Sequence, residues 1–400
     1  MRVLYLSPWF PYPLDTGSRT RAYFLVRALA RKHRVTLVSL DPQGWAPPQK
    51  DALEPFCDQA LLVAKDPFRR SWLRTKTRFL SLRPIVDEPF PEVLQLVKQL
   101  HADKPFDVVI AGTTVTAAYA LALPNVVRIL EEHNSNTRWM RERISPRAPC
   151  LHRLRYWISW YKTMRYESRL FRRFDLVSMV SELDAKTSRN LVEGSIPRVV
   201  VFPNGVDCVA LHPRRLEPLP ETLVFSGALT YHANYEAIAF FLREVYPLIC
   251  AVDPAVRLRI TGATTNVDLG GLLLDPSVTL TGYVEDVYTE IANAKVSVAP
   301  ILTGGGTRLK VLEAMALGTA VVSTSKGCEG IDASHGEHLL LADTPTLFAD
   351  SVISIIRDVE LRMRLVTRAR ALVAQTYDWE QIGQRFVANI ENVVAALCRR

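Results

Sequence analysis

The feature that most constrains the fold of this chain is a repeated alternation of short apolar runs with longer amphipathic stretches. Alternation of this kind is typical of parallel sheets covered by helices. It starts again near Thr222, after a Pro-containing stretch from Pro203 to Pro220. We therefore predict an α/β fold with two Rossmann-like domains facing a cleft, over residues 1–205 and 206–377.

The predicted strands divide evenly between the two halves. Those of the first half are Val3–Ser7, Val35–Leu40, Asp107–Ala111, Val126–Leu130, Asp175–Val180 and Val199–Phe202. Those of the second half are Thr222–Ser226, Arg257–Thr261, Val278–Thr281, Val296–Ala299, Ala320–Val322 and His338–Leu341. The Pro-rich stretch after Leu40 is interpreted as a surface connection, and a single helix is predicted from about Asn234 to Ile249.

The charge of the chain is unevenly distributed. The 400 residues carry a net charge of +8, and 48% of them are apolar, which is typical of globular proteins. Residues 1–210 hold 32 Lys and Arg against 20 Asp and Glu, a net +12, while the remainder is at −4. A basic first half indicates an anionic partner there, which could be a phospholipid surface, a phosphate-bearing acceptor or nucleic acid.

Cysteine spacing and hydropathy bear on location. The six cysteines form no C-x-x-C pair, which excludes the usual zinc and redox motifs and fits a reducing cytoplasm. We expect no metal site. The first residues, MRVLYLSPWFPYP, are better interpreted as a strand than as a signal peptide, and no uncharged apolar run reaches membrane-spanning length. The expected location is the cytoplasm, with attachment to the inner face of a membrane as an open alternative.

Two basic segments also contain aromatic residues. Arg69–Arg83 carries six cations and no acid, and Arg138–Arg173 carries eleven Lys and Arg together with several Trp and Tyr. Segments of this type can lie at an anionic membrane interface, or they can be solvated basic helices. We find no nucleic-acid-binding motif, so no nucleic-acid partner is expected.

The stretch from Pro300 to Val322 carries the clearest chemical signal. Three glycines, Gly304 to Gly306, precede Arg308, Lys310 and Glu313 at the start of a predicted helix. Bare backbone N–H groups and cations at a helix N-terminus form a site for a phosphate or diphosphate. The alternative is a glycine turn that caps an ordinary helix. Three predicted strands also end in glycine and leave backbone open at the sheet edge, namely at Gly227, Gly262 and Gly282.

In the first half, polar residues follow the strand Val126–Leu130. They are Glu131, Glu132, His133 and Asn134, and they fall where α/β proteins place functional groups. The alternative is a satisfied loop histidine flanked by solvated acids.

Together these segments resemble the family-4 glycosyltransferases of the GT-B fold. The motifs that carry the resemblance are SPWFPYPLDTGSRTR, EEHNSNTRW, PNGVD, VFSGALTYHANYEAI, TGYVEDV, APILTGGGTRLKVLEAMALGTAVVST and YDWEQIGQRF. The resemblance implies a nucleotide-diphosphate sugar held by the C-terminal domain and an acceptor held by the N-terminal one. It also implies that the last helix, residues 378–400, packs back on the first domain.

The resemblance assigns a role to individual residues. Glu313 would bind the donor ribose, and Arg308 and Lys310 the diphosphate. His133 would lie near the C6 side of the sugar and the reacting centre, so that His133, Arg308 and Lys310 form the predicted catalytic set. The remaining donor-binding residues would be Gly17 and Gly227 near the diphosphate, Tyr283 and Val284 at the base, and Gly305, Gly306 and Thr307 at the sugar.

The chain departs from the family pattern in two places. Gly305 stands where the first acid of the Glu-x(7)-Glu element is expected, and the strand ending GALTYHANYEA lacks the usual Arg/Lys pair. A subgroup with GGGTRLKVLEA shares both features and is similar to sugar transferases of bacterial exopolysaccharide systems. The first departure leaves the donor sugar open, and the second increases the importance of Arg308 and Lys310.

The predicted activity is glycosyl transfer with retention, without a metal or other cofactor, from a UDP- or GDP-linked sugar. The acceptor would be a sugar, a glycan or a lipid-linked molecule. Two alternatives stay open at this point. One is a nucleotide-sugar 2-epimerase on the same fold, and the other is a basic membrane- or nucleic-acid-binding protein with a degenerate sugar site.

Overall fold

The structure is a computed structural model that describes residues 1–41, 49–68, 89–144, 150–192, 198–211, 219–304 and 306–399. The chain divides into two compact units. The first consists of Met1–Pro203 together with Ile382–Arg400, and the second consists of Asn204–Gln381. These limits lie close to the predicted domain limits, whereas the acceptor- and donor-binding roles of the two domains stay predictions.

In the first unit, the described residues form seven parallel strands in the order β3-β2-β1-β4-β5-β6-β7. They are β1 (Arg2–Ser7), β2 (Arg34–Leu40), β3 (Gln59–Val63), β4 (Val108–Gly112), β5 (Val127–Glu131), β6 (Leu176–Met179) and β7 (Arg198–Val201). Every residue of β4 is buried, as expected for a central parallel strand covered on both faces.

Strand β3 corrects the prediction of an irregular surface connection after Leu40. It pairs in parallel with β2, and Leu37 lies opposite Ala60. None of its five residues is fully buried. An edge strand of this kind lacks the continuous buried run or the strict alternation on which strand prediction depends.

The helices of the first unit are α1 (Gly17–Ala30), α2 (Pro91–Asp103), α3 (Ala117–Ala120), α4 (Asn136–Glu142), α5 (Cys150–Phe171) and α6 (Glu182–Leu191). Short 3₁₀ turns lie at Lys50–Ala52 and Thr114–Thr116. Three helix starts are capped by hydroxyl oxygens of Thr16, Ser135 and Ser181, which accept backbone N–H groups that have no partner within the helix.

In the second unit, the described residues form six parallel strands in the order β10-β9-β8-β11-β12-β13. They are β8 (Thr222–Ser226), β9 (Arg257–Thr261), β10 (Val278–Gly282), β11 (Val296–Ala299), β12 (Ala320–Ser323) and β13 (Leu340–Leu341). The core packs strand side chains against helices, and the rings of Phe241 and Phe348 meet edge to face at 5.6 Å.

The remaining helices are α7 (His232–Phe240), α8 (Tyr246–Val252), α9 (Val287–Ala292), α10 (Leu309–Leu317), α11 (Pro345–Arg357), α12 (Val359–Leu372) and α13 (Trp379–Leu397). Phe241–Val245 and Val373–Tyr377 are π-helical turns. The first of them interrupts the single helix predicted from Asn234 to Ile249. It precedes Pro247, which has no N–H to continue an α-helical ladder.

The C-terminal part of α13 packs on the first unit, as predicted. Ile382, Phe386 and Ile390 are fully buried, and the ring of Phe386 lies edge-on to Phe202 at 5.2 Å. A Cβ on Gly383 would lie 2.6 Å from the Cβ of Ala28 on α1, so only glycine permits this close approach.

Candidate active site

The carboxyl edge of the second sheet is lined by glycine, as the sequence predicted. Gly227, Gly262 and Gly282 follow or end β8, β9 and β10, and all three have positive φ. A Cβ on Gly262 would lie 2.5 Å from the carbonyl carbon and oxygen of Gly227. These strand ends therefore approach so closely that the backbone is left uncovered by side chains.

Lys310, in the first turn of α10, directs its ammonium at this bare edge. Its Nζ donates to Asn234 Oδ1 at 2.9 Å and lies 4.0 Å from the centre of the Phe225 ring. A Cβ on Gly227 would lie only 2.6 Å from the same Nζ. Burial of the ammonium, and then the positive charge of Arg308, lower the pKa of Lys310 to about 7, although Glu313 acts in the opposite direction. The site is one that an anion would stabilise.

Arg308 occupies the N-cap position of α10. Its Nη2 donates to the carbonyl of Thr303 at 3.2 Å, and a Cβ on Gly304 would lie 3.2 Å from that nitrogen. Gly306 has φ of +82°, and no atom lies within 4 Å of the position its Cβ would take. Thr307 is buried, and its hydroxyl has no hydrogen-bond partner among the described residues. Gly305 lies outside the described residues.

Glu313 lies one turn further along α10. Burial raises the pKa of its carboxyl to about 7, against the effect of Lys310. Burial also raises the pKa of Tyr288 to about 12, and the negative charge of Glu313 adds to this effect. Tyr283, which is 80% exposed, and Val284 follow the end of β10. The structure thus brings Gly227, Lys310, Arg308 and Glu313 together and places Tyr283 and Val284 at the same sheet edge.

In the first unit, β5 ends at a fully buried carboxylate, Glu131. It accepts a hydrogen bond from Arg21 Nε at 2.6 Å, lies 3.2 Å from His133 Nε2, and accepts a longer bond from the Tyr5 hydroxyl at 3.4 Å. Arg21 is also fully buried and donates through Nη1 to the carbonyl of Pro203 at 3.0 Å. Burial alone would raise the pKa of Glu131, but Arg21 and His133 outweigh it and lower the pKa to about 2. The carboxylate is held ionised.

The His133 ring lies between this carboxylate and the ring of Trp9. The ring centre of Trp9 lies 5.2 Å from that of the His133 ring. Trp9 is itself fixed, since its Nε1 donates to the carbonyl of Ser18 at 3.1 Å, just inside α1. Gly17 is the first residue of that helix, next to the cap Thr16. The partly exposed imidazole is therefore oriented from two sides.

The neighbouring acids Glu132 and Glu167 are buried and hydrogen-bonded, so the alternative of solvated acids is wrong. Glu132 accepts from both the backbone N–H and the hydroxyl of Thr114. Glu167, on α5, accepts from the backbone of Asn136 and Thr137 at the start of α4. Both carboxyls are buried, and burial raises their pKa. Glu132 thus holds the turn that follows β4, and Glu167 holds the start of α4.

Arg21 and Asn234 belong to these clusters but were not among the predicted site residues. Arg21 is separated from Glu131 by 110 positions, and Asn234 is separated from Lys310 by 76 positions. An arginine within an amphipathic helix gives no sign that it is buried. Asn234 did offer a signal, since it is a short polar side chain at the start of the helix that follows Gly227.

The structure describes most of one predicted basic segment and none of the other. Arg69–Arg83 lies outside the described residues. Of Arg138–Arg173, the structure describes 138–144 and 150–173, which include α4 and α5. Among the helices that the structure describes, none is long and apolar enough to cross a membrane. The same residues contain no group of three His, Cys, Asp or Glu side chains arranged to hold a metal ion.

Two protein-family models match this chain, one in each half. The model described as Glycosyltransferase Family 4 matches residues 16–209, and the model described as Glycosyl transferases group 1 matches residues 220–358. Together they include all the predicted site residues.

Two curated proteins illustrate the range of relatives. An uncharacterized 44.6 kDa protein in the cps region of Klebsiella pneumoniae is 21% identical over 95% of this chain and 97% of its own length. The phosphatidyl-myo-inositol mannosyltransferase of Mycobacterium tuberculosis is 29% identical over 49% of this chain, and the match spans about half of that protein, 55%.

Solved structures share the fold over nearly the full length of the chain. Sucrose-phosphate synthase from Thermosynechococcus elongatus superposes with a TM-score of 0.71 at 16% identity, covering 99% of this chain and 100% of that one. HepE of Anabaena, solved with UDP and glucose, gives a TM-score of 0.65 at 17% identity, covering 98% of this chain and 99% of its own.

Proposed function

The chain belongs to glycosyltransferase family 4 and has the GT-B fold, and from this we propose that it moves a sugar from a nucleotide-diphosphate donor to an acceptor with retention of configuration and without a metal ion. One observation carries the proposal. The Lys310 ammonium lies beside the bare Gly227 backbone, with a pKa lowered to about 7. A diphosphate anion at that position would supply a counter-charge that the neutral amide of Asn234 does not.

Charge stabilisation of the leaving diphosphate is the proposed source of catalysis. Negative charge grows on the diphosphate as the glycosidic bond breaks. Lys310, Arg308 and the N-terminus of α10 are the groups we assign to that charge. These preorganised cations make a metal unnecessary in our proposal.

The other donor contacts are also proposals. The Glu313 carboxylate would accept hydrogen bonds from the two ribose hydroxyls, because an ionised carboxylate has two acceptor oxygens. Tyr283 and Val284 would hold the base through their backbone. Gly305, Gly306 and Thr307 would offer N–H groups to the sugar, and Gly17 would lie near the diphosphate. His133, oriented by Glu131, would act near the C6 side of the sugar.

Retention would follow a front-face route. A double displacement needs two carboxylates about 5 Å apart, one of them free to act as nucleophile. The two acids at the end of β5 do not meet this requirement, since Glu131 is paired with Arg21 and His133, and Glu132 is held by Thr114. In the front-face route the leaving phosphate helps to deprotonate the acceptor hydroxyl, which then attacks the sugar from the same side.

The comparisons support a choice of substrates within this proposal. HepE was solved with UDP-glucose, and we propose a UDP-sugar as the first donor to test, ahead of GDP-sugars. The Klebsiella relative belongs to a cps region and the mycobacterial relative is a mannosyltransferase of phosphatidyl-myo-inositol. We therefore propose a glycan or lipid-linked acceptor in exopolysaccharide synthesis, at the cytoplasmic face of a membrane.

Donor binding and turnover test the proposal together. A panel of UDP- and GDP-sugars read by thermal shift should identify one donor that raises the melting temperature, since a ligand of the native state stabilises it in proportion to its occupancy. Lys310→Ala and Glu313→Ala should each lower transfer by about a hundredfold to a thousandfold, as expected for loss of a transition-state donor or clamp. The exposed Lys98→Ala on α2 is the matched control and should retain full activity.

Two results would contradict this reading. Near-normal turnover in Lys310→Ala or Glu313→Ala, with an intact circular dichroism spectrum, would remove the site assignment. Conversion of the donor sugar in the absence of any acceptor would instead identify an epimerase, because a transferase leaves the configuration of unused donor unchanged.

A further inference from the structure

A cavity of about 520 Å³ lies in the first unit, between the C-terminal half of α5 and residues 118–122 of α3 and the turn after it. Its volume is in the range of small-molecule sites. Leu121 and Leu170 contribute apolar walls, and four cations from one side of α5 and its C-terminal end line the remainder: Lys162, Arg165, Arg169 and Arg173. None of the proposed donor or catalytic residues lines this cavity.

Three of the four cations of the cavity have no acidic partner among the described residues. Within the part of the chain that the structure describes, Arg165, Arg169 and Arg173 have no carboxylate at salt-bridge distance. The one acid of α5 is Glu167, which is buried and bonded to the backbone of Asn136 and Thr137. Several guanidinium groups around one concave surface create a positive potential that favours an anionic ligand, above all a phosphate.

The N-terminal half of α5 exposes apolar side chains instead. Leu151 is 81% exposed, Leu154 54% and Trp157 51%. The Trp157 ring is stacked on Tyr161 at 5.9 Å, and Arg165 donates to the Tyr161 hydroxyl at 3.0 Å. The aromatic pair thus joins the apolar half of the helix to its basic half.

Both halves lie on one face of the helix. Side chains three and four positions apart share a face, and this spacing links the apolar and the basic positions in a single row. The row consists of Leu151, Leu154, Ile158, Tyr161, Lys162, Arg165 and Arg169. A helix with exposed aliphatic and aromatic residues beside a basic cluster is typical of helices that lie at an anionic bilayer surface.

We propose that the cavity binds the phosphate headgroup of an anionic phospholipid while the apolar half of α5 lies in the bilayer interface beside it. The proposal gives the enzyme of the preceding section its membrane contact, but headgroup binding itself requires no transfer activity. A nucleic acid would also meet the arginines and the stacked rings. Exposed leucines would gain little from contact with a nucleic acid, whereas they would be removed from water at the hydrocarbon boundary of a bilayer.

Vesicle flotation of the full chain tests the proposal. We expect binding to vesicles of phosphatidylcholine mixed with phosphatidylglycerol and little binding to phosphatidylcholine alone. The double variant Arg165→Gln/Arg169→Gln should lower the partition coefficient about thirtyfold, because each basic residue near an anionic surface contributes a factor of about five. Leu154→Gln/Trp157→Gln should also lower binding to the mixed vesicles.

The matched control is Arg364→Gln/Arg368→Gln on α12, which removes two exposed arginines at the same spacing from the other unit. It should float like the unmodified chain. The thermal shift with the nucleotide sugar should stay unchanged in all three double variants, so loss of flotation with normal donor binding separates this inference from the proposed function.

Four outcomes would overturn the inference. They are equal binding to neutral and anionic vesicles, flotation that persists in Arg165→Gln/Arg169→Gln, an equal loss in the α12 control, and release by duplex DNA. Inorganic phosphate that releases the protein from the vesicles, when sodium chloride of equal ionic strength does not, would support recognition of the headgroup phosphate. Release by duplex DNA at matched ionic strength would identify a nucleic-acid surface instead.

Discussion

The two parallel sheets of this protein end in different chemistry at their carboxyl edges. In the first unit, β5 ends at Glu131, whose charge is buried and compensated by Arg21 and His133. In the second unit, β8 and β9 run into glycines, and the nearest charge is the Lys310 ammonium, bonded to the neutral amide of Asn234. The first edge supplies its own counter-charge, whereas at the second edge the Lys310 ammonium is bonded to a neutral amide.

The difference in charge pairing suits the first edge to holding a side chain in place and the second edge to binding an anion. A buried ion pair fixes the orientation of its neighbours at a net energy near zero, because desolvation and attraction nearly cancel. A partly buried cation whose hydrogen bond goes to a neutral amide keeps part of its desolvation cost, and a ligand that neutralises it would regain some of that energy. The first unit therefore orients His133, and the Lys310 ammonium of the second unit would be stabilised by the anion that we propose as its ligand.

The largest expected effect comes from breaking the pair in the first unit. Arg21→Met should lower the free energy of unfolding by about 3–5 kcal/mol, since the Glu131 carboxylate is left buried with only the partly exposed His133 beside it. Urea denaturation followed by tryptophan fluorescence measures this change. Arg21→Met combined with Glu131→Gln should recover much of the loss, and Lys98→Met on the surface of α2 should change stability by under about 0.5 kcal/mol. A loss no greater than that of Lys98→Met would show that the pair is not buried as described.

A smaller effect is expected from covering the bare edge of the second unit. In Gly227→Ala the new Cβ would lie 2.6 Å from Lys310 Nζ and 2.8 Å from Asn234 Nδ2, so the ammonium must move. Overpacking costs up to about 1–3 kcal/mol of unfolding free energy. The displaced ammonium should in addition weaken the donor affinity measured by titration calorimetry. Gly270→Ala, in an exposed loop of the same unit, is the control. Unchanged donor affinity in Gly227→Ala would mean that the donor does not approach this edge.

The smallest effect is a pH dependence of donor binding. Lys310 and Glu313 each have a pKa of about 7 in the protein without ligand. Above pH 7 the lysine is increasingly neutral, so binding of the anionic donor must take up a proton and affinity should fall by up to about tenfold per pH unit. Below pH 7 Glu313 becomes protonated and loses acceptor strength, so affinity should fall there too. The expected profile has its maximum near pH 7.

Lys310→Arg sharpens this test, because an arginine stays charged at every accessible pH. Affinity should then stop falling on the alkaline side and still fall on the acidic side. Titration calorimetry should use a nucleotide-diphosphate sugar rather than a free nucleotide, since a terminal phosphate group itself titrates near pH 6. An alkaline decline that persists in Lys310→Arg would assign it to a group other than Lys310.

Much of the fold could be predicted because the buried strands and their helices follow simple periodic patterns. Twelve of the thirteen described strands were anticipated near their observed bounds. Strand β3 was missed because its residues are only partly buried, and the π-helical turn Phe241–Val245 because local irregularity in a helix leaves the apolar pattern almost unchanged. Both are features that tertiary packing decides.

Some site residues could likewise be predicted from local sequence patterns, and others could not. Glycines at strand ends and cations at a helix start are local patterns, so Gly227, Arg308 and Lys310 could be named from the sequence. Arg21 could not, since its burial depends on a carboxylate more than a hundred positions away. The acids after β5 were located but their state was not, because a solvated and a buried Glu132 look identical in a sequence.

The packing of Gly383 against Ala28 has a consequence for how the protein is made. The first unit needs Ile382–Arg400, yet the whole of Asn204–Gln381 is synthesised in between. At usual translation rates that interval lasts roughly ten to forty seconds. During this time the nascent first unit lacks the helix that covers Phe202, and its exposed apolar surface is available to chaperones. The second unit is continuous in sequence and can complete its fold on the ribosome before the first.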